Sequence, residues 1–549
     1  MPYDIAWRPP TAGRVARADP AQGTIGFVAV ERGEGAVVTP RAADLLERLV
    51  QRFGPRRDHL VERRRDRALA VQRGERLDFT VDPDGVRSRS WTVSGLPFHR
   101  PIELVGPPTP DHLVPGMNGG ADRFVADFED ALVPRPDTVL AGHRAVAEAV
   151  RRTLAYDAPA GRRFRLARRT AALAVRPRDL AAADAIVLDE GPPIPAALFD
   201  VGLHLARDAE EMVARGGRPY LYLGSIETGE EAEFWSDAIA WIEDELGLPL
   251  GLAGAGAVVG AVPATFQMDE ILYALRERSP ALVLAPVRYL AGVSRLFRED
   301  PRFALPDRAT LGIETPLLEA IARLLVATAR RRGAPALCDV DRPATMVDRG
   351  STVGWDGIAE LERIALDGFD GAWVRDVPSI DRARTAFRGG PLAPAIDGVG
   401  GPTVPVPVGL LRPPDGSITF DGVRASCRTV VRYLESWLRG VGFVDDGDGS
   451  RDRAEADLAR SLLWQWVHQG VQLDDGSPIS SGLVRELLGE EEALWLVAVG
   501  VDPERTWATR QAARLADELV TGWDPPEALP SAVESRRTPR ERPWEPVTA

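Results

Sequence analysis

Two hydrophobic periods alternate along this chain. From Gly256 to Phe297 it reads GAVVGAVPATFQMDEILYALRERSPALVLAPVRYLAGVSRLF. The opening is small and apolar, bounded by glycine and followed by a helix, as a strand buried on both faces should read. From Met268 to Arg278 the period becomes helical, with Ile271, Leu272 and Leu275 on one face and Asp269, Glu270 and Arg276 on the other. Ala281 to Ala285 is apolar again. The stretch is therefore strand, helix, strand, the unit of an α/β barrel or a doubly wound sheet. The same pattern starts at Ile102–Pro108, continues at Arg123–Ala131 and returns at Thr170–Leu180.

The flanks carry a different pattern. Thr39 is an N-cap candidate with Pro40 at the first helical position, and Leu45, Leu46 and Leu49 then recur at helical spacing among charges. Such a helix buries one stripe against something else. The arginine cluster Arg63 to Arg67 within it reads as a solvated helix face in preference to a polyanion site. Gly389 to Gly409 is rich in proline and glycine and reads as a linker. Beyond it, Thr419–Val444 is an amphipathic helix. The expected division is an N-terminal helical region (1–98), a barrel (99–395), a linker (396–410) and a C-terminal helical domain (411–549).

Composition narrows the classes. A chain of 549 residues, 44% hydrophobic and 27% charged, is that of an ordinary globular protein. All 67 basic residues are arginine, which excludes Schiff-base lysine chemistry. A net charge of −14 argues against a general role at nucleic acids or membrane surfaces. Two separated cysteines, Cys338 and Cys427, and no bilayer-length apolar run point to a cytoplasmic location without a readable zinc site.

The candidate chemistry lies at strand ends. Arg123–Ala131 finishes in Asp127, Glu129 and Asp130, and three carboxylates there must be solvated, paired or catalytic. Thr170–Leu180 carries Arg176 and Arg178, fixed cations able to stabilise an oxyanion or to pair with those acids. The Asp446–Asp448–Ser450 spacing lacks the glycine and the final glutamate of a calcium loop and reads as an acidic turn.

Several long runs resemble malate synthase, form A. ADFEDA at Ala126–Ala131, AVRPR at Ala174–Arg178, the LFDxGL and YLYL runs between Leu198 and Leu223, LPDR at Leu305–Arg308, and YLESWLRGVG at Tyr433–Gly442 carry the likeness, which spans about Thr39 to Glu492. The resemblance implies a (β/α)8 TIM barrel with an N-terminal helical clasp and a C-terminal helical domain. It implies condensation of acetyl-CoA with glyoxylate to malate and CoA, the glyoxylate-cycle reaction. Arg176 would stabilise the enolate, Asp452 would be the base, and Glu129 and Asp130 would bind waters around magnesium. The two magnesium ligands of the family fall at Gly260 and Arg288, one with no side chain and one with a positive charge. Magnesium wants hard oxygen ligands, so no metal cofactor is expected here. Other motifs also depart. A family GWH is Asp179–Ala181, a Pro-Lys is Gly224-Ser225, a GGMAA loop is Cys338–Ala344, and a VAHP is Val374–Val377.

Three readings stay open at this stage. The chain is a malate synthase with a rearranged and impaired site, a metal-independent enzyme acting on an acyl-CoA and a small keto acid or dicarboxylate, or a non-catalytic protein that binds a ligand or a paralogous malate synthase. Arg288 either receives a small anion in place of the metal or pairs with Glu129 and Asp130 and closes the pocket. Asp452 is either a base or a solvated acid in a polar loop.

Overall fold

The computed structural model describes residues 28–30, 36–79, 85–94, 101–158, 161–182, 186–188, 193–278, 280–340, 358–389, 409–445, 450–523 and 529. The proposed linker and the Asp446–Asp448 turn fall almost wholly outside them.

The first long helix, α1 (Pro40–Gln72), begins where its sequence says it should. The Thr39 hydroxyl accepts the Ala42 N–H, and Pro40 occupies the first turn, where no N–H is needed. Its buried stripe of Leu45, Leu46, Leu49 and Phe53 lies against α2 (Ala196–Ala214) and α3 (Gly229–Leu246). Gly202 of α2 permits that approach, because a Cβ there would stand 2.7 Å from Leu46 Cδ2.

Eight parallel strands close into a barrel. In chain order they are β1 (Ile102–Gly106), β2 (Arg123–Asp127), β3 (Ala172–Arg176), β4 (Tyr220–Leu223), β5 (Gly254–Val259), β6 (Leu282–Leu284), β7 (Ala336–Asp339) and β8 (Gly371–Val374). Each pairs with its chain neighbour, and β8 pairs with β1 to complete the ring. Alternate positions divide the core in two, as the two-residue period of a strand requires. Val105, Val125, Ala174, Val258, Val283 and Leu337 share the lumen with Tyr222 and Trp373. Their neighbours Leu104, Phe124, Leu173, Val259 and Leu284 join the apolar layer under the helices. At the far end of the lumen Glu103, fully buried, pairs with Arg123 and accepts the Trp373 indole N–H at 3.1 Å. With the interior packed, the strands' C-terminal ends are where a barrel of this kind places a site.

After the barrel come α5 (Phe420–Leu438), α6 (Arg453–His468), α7 (Ser481–Val499) and α8 (Pro503–Thr521), numbered after α4 (Pro286–Leu296), the helix that follows β6. α6 lies on α4 and so brings its N-terminus to the barrel mouth. The segment before α6 is paired on both sides of the Asp446–Asp448 turn. Val444–Asp445 and Ser450–Arg451 form a short antiparallel ladder, and Asp452 caps the helix.

Candidate active site

The mouth is organised by β2. Asp127, its last residue, accepts the backbone N–H groups of Glu129 and Asp130 at 2.9 and 3.1 Å. This local turn, typical of aspartate, presents both following carboxylates to the same space. All three acids are buried.

Three guanidinium groups answer them. Arg176, at the end of β3, donates to Asp127 Oδ2 at 3.1 Å and lies 2.7 Å from Asp130 Oδ2. Arg288, in the first turn of α4, donates Nε to Asp130 Oδ2 at 2.8 Å, Nη2 to Glu129 Oε1 at 2.7 Å and Nη1 to the Ser225 hydroxyl at 2.9 Å. Arg453, the first residue of α6, donates Nε to Asp130 Oδ1 at 3.1 Å and Nη2 closely to Glu129 Oε1. Burial alone would push the Asp130 carboxyl up, but Arg176, Arg288 and Arg453 hold it well below the ordinary carboxylate range. Burial would likewise lower Arg288, and Asp130 and Glu129 together drive it well above the usual guanidinium value.

Gly260 follows β5 directly, and a Cβ built there would meet Arg288 Cδ at 2.9 Å. The arginine stem occupies the space that a side chain at 260 would need. Ser225 is held at φ +49°, a left-handed conformation uncommon for a residue with a side chain. Its carbonyl accepts from Arg64 of α1 at 3.0 Å, and Arg64 also pairs with Asp179 and Glu231. The Arg63–Arg67 cluster is therefore no simple solvated face. Arg64 is largely buried and reaches the mouth, while Arg63 and Arg67 pair with Glu230 and Glu227.

Asp452 is not the solvated acid that one of its two readings expected. It is 5% exposed, where a polar loop would leave it solvated. One carboxylate oxygen accepts the Glu455 N–H at 3.2 Å, and the other lies 3.1 Å from Arg375 Nη1. Arg375, just past β8, also donates to Asp339 at 2.6 Å. Asp130, Arg288, Asp339, Arg375 and Asp452 enclose a cleft of ≈ 10 Å³, the space of about one water. His204 is buried against Asp208 at 3.1 Å, away from these groups.

The structure thus brings Glu129, Asp130, Arg176, Arg288 and Gly260 to one place, with Asp452 lining the same cleft as Asp130 and Arg288. Sequence reasoning missed Arg453 and the partner role of Arg375. A signal for Arg453 exists: an arginine at the first position of a helix opposes the helix dipole, so it needs a partner outside its own helix. The guanidinium of Arg288 already spans both carboxylates, and no group of three or more His, Cys, Asp or Glu side chains suited to a metal exists among the described residues.

Comparison with known proteins follows the same lines. The family profile described as "Malate synthase, TIM barrel domain" matches residues 172–389, and "Malate synthase, C-terminal" matches 417–522. The chain is 34% identical to the malate synthase of Myxococcus xanthus over 466 residues, which covers 83% of this chain and 85% of that protein. It belongs to the malate synthase family. Malate synthase A of Escherichia coli is 31% identical over 496 residues, covering 89% of this chain and 93% of its own length. The malate synthase of Streptomyces clavuligerus is 32% identical over 476 residues, with 83% and 87% coverage. This family member is a TIM barrel with C-terminal helices. No helix among its described residues is long and apolar enough to cross a membrane.

Proposed function

We propose that this chain is a malate synthase-type protein of the glyoxylate cycle, addressing acetyl-CoA and glyoxylate in the cytosol, whose condensation to malate and CoA runs far below ordinary enzyme rates. The observation that carries the reading is Arg288 seated on Glu129 and Asp130. Condensation needs a base for the acetyl methyl proton, a fixed positive charge for the enolate oxygen and a polarised aldehyde. Arg176 offers the charge, but its guanidinium is already shared by Asp127 and Asp130. Asp452 offers the base, but both of its oxygens are engaged. Arg288 offers polarising charge, and it is held by two acids and a hydroxyl.

The test is CoA release by the purified chain with acetyl-CoA, glyoxylate and magnesium. Each ~1.4 kcal/mol lost from the transition state is tenfold in rate, and the enzyme median is about 10 per second. Turnover at least about a hundredfold below that median is expected. A rate of roughly 10 per second would overturn the reading.

The engagement of Asp452 as helix cap and ion-pair partner favours a second reading, a non-catalytic member that binds an acyl-CoA, a small dicarboxylate or a paralogous family member. Saturable acetyl-CoA binding with no detectable CoA release would select it.

A further inference from the structure

The two arginines that meet at the mouth come from different parts of the fold. Arg288 belongs to α4 of the barrel and Arg453 to α6 of the C-terminal helices. Both donate to the same two oxygens, Glu129 Oε1 and Asp130 Oδ1. A carboxylate pair is thus bridged by two fixed positive charges, the role a divalent cation plays between acids. Asp127 and Arg176 form the remaining pair, so three carboxylates face three guanidinium groups. A further dication would leave about two uncompensated positive charges in a buried place.

Neighbouring residues fit this arrangement. Gly260 leaves room for the Arg288 stem, since a Cβ would stand 2.9 Å from its Cδ. The Ser225 hydroxyl takes the one terminal nitrogen of Arg288 that the acids do not reach. At the start of α6, Asp452 and Glu455 flank Arg453 and pair with Arg375 and Arg308 of the barrel. The whole first turn of α6 is therefore tied to the mouth.

We propose that Arg288 and Arg453 are a cation supplied by the chain itself: together they replace a divalent metal at Glu129 and Asp130 and fasten the C-terminal helices to the barrel. This deepens the functional reading and rests on its account of Arg288, but it concerns metal dependence of the fold and not turnover.

The experiment uses the full chain, melted in millimolar MgCl2 or MnCl2 and again in EDTA. The wild-type curves should coincide within about 1 °C, because a ligand that does not bind the native state cannot stabilise it. The double substitution Gly260→Glu with Arg288→Asp removes one guanidinium and adds two carboxylates. It should melt lower in EDTA and recover saturably with metal, by at least about 2 °C. A saturable metal-dependent rise in the wild type, lost in Glu129→Gln, would overturn the proposal, as would a folded double variant indifferent to metal. If the double variant does not fold, Mn²⁺ binding to the wild type by electron paramagnetic resonance decides: saturable binding overturns the proposal and its absence supports it. Rapid CoA release in EDTA would sink the functional reading and leave this one standing. Metal binding without turnover would do the reverse.

Discussion

Along the outer face of α1, Arg41 meets Glu210 at 2.9 Å and Arg56 meets Asp237 at 2.6 Å, with all four side chains at least 38% exposed. At the barrel mouth Arg288 meets Glu129 at a similar 2.7 Å, with exposures of 11% and 0%. The residue types and distances are nearly the same, and the energetics are not. On α1 water screens the charges, and either partner can be solvated once the other is removed. At the mouth, removal of one partner leaves the buried set of acids and guanidinium groups a full charge out of balance, where water screens poorly. The α1 contacts add electrostatic trim to a helix held by its leucine stripe. Those at the mouth hold together groups that would otherwise not tolerate burial.

Substitutions at three positions sharpen or break this contrast. The largest effect belongs to Arg288→Ala, which should cost about 3–5 kcal/mol in urea unfolding. A loss under about 1 kcal/mol would place the mouth with the surface pairs and end the comparison. Next is Asp452→Ala, which removes a helix cap and an acid paired with Arg375, for about 2 kcal/mol. Asp452→Asn keeps the cap and should recover about half of that loss. Full recovery would mean that the Arg375 contact contributes nothing. Smallest is Arg56→Ala, at about 0.5 kcal/mol or less, vanishing near 1 M salt. A measured loss above about 2 kcal/mol would show that α1 also depends on its charges.

The fold was legible because period and burial coincide. The apolar run through Val259 and the helical face of Ile271, Leu272 and Leu275 appear as strand β5 and as the buried side of the Met268–Leu275 helix. The start of α1 was equally readable, since a capping threonine and a first-turn proline act through their own backbone. The long runs shared with malate synthase pointed to the family before any contact was known. The site was legible only in part. That Glu129, Asp130, Arg176 and Arg288 meet follows from their common location at strand ends. Which arginine holds which acid does not, because side chains long enough to span the mouth choose partners in three dimensions. Of the two readings of Asp452, the solvated acid fails for a related reason. Its neighbours in sequence are polar and flexible in type, but its neighbours in space are Arg375 and the start of α6. Local composition predicted exposure, and long-range pairing produced burial.

The bond from Arg453 to Asp130 joins residues 323 positions apart. Chains leave the ribosome at ~5–20 residues per second, with N-terminal parts structured first. Asp130 and Glu129 therefore emerge roughly 15–65 s before the arginine that completes their set. During that interval Arg176 and later Arg288 can join them, but the C-terminal fastening cannot yet exist. An element made well after Glu129 and Asp130 thus seals them, and a nascent or truncated protein ending before α6 carries an open, under-neutralised mouth.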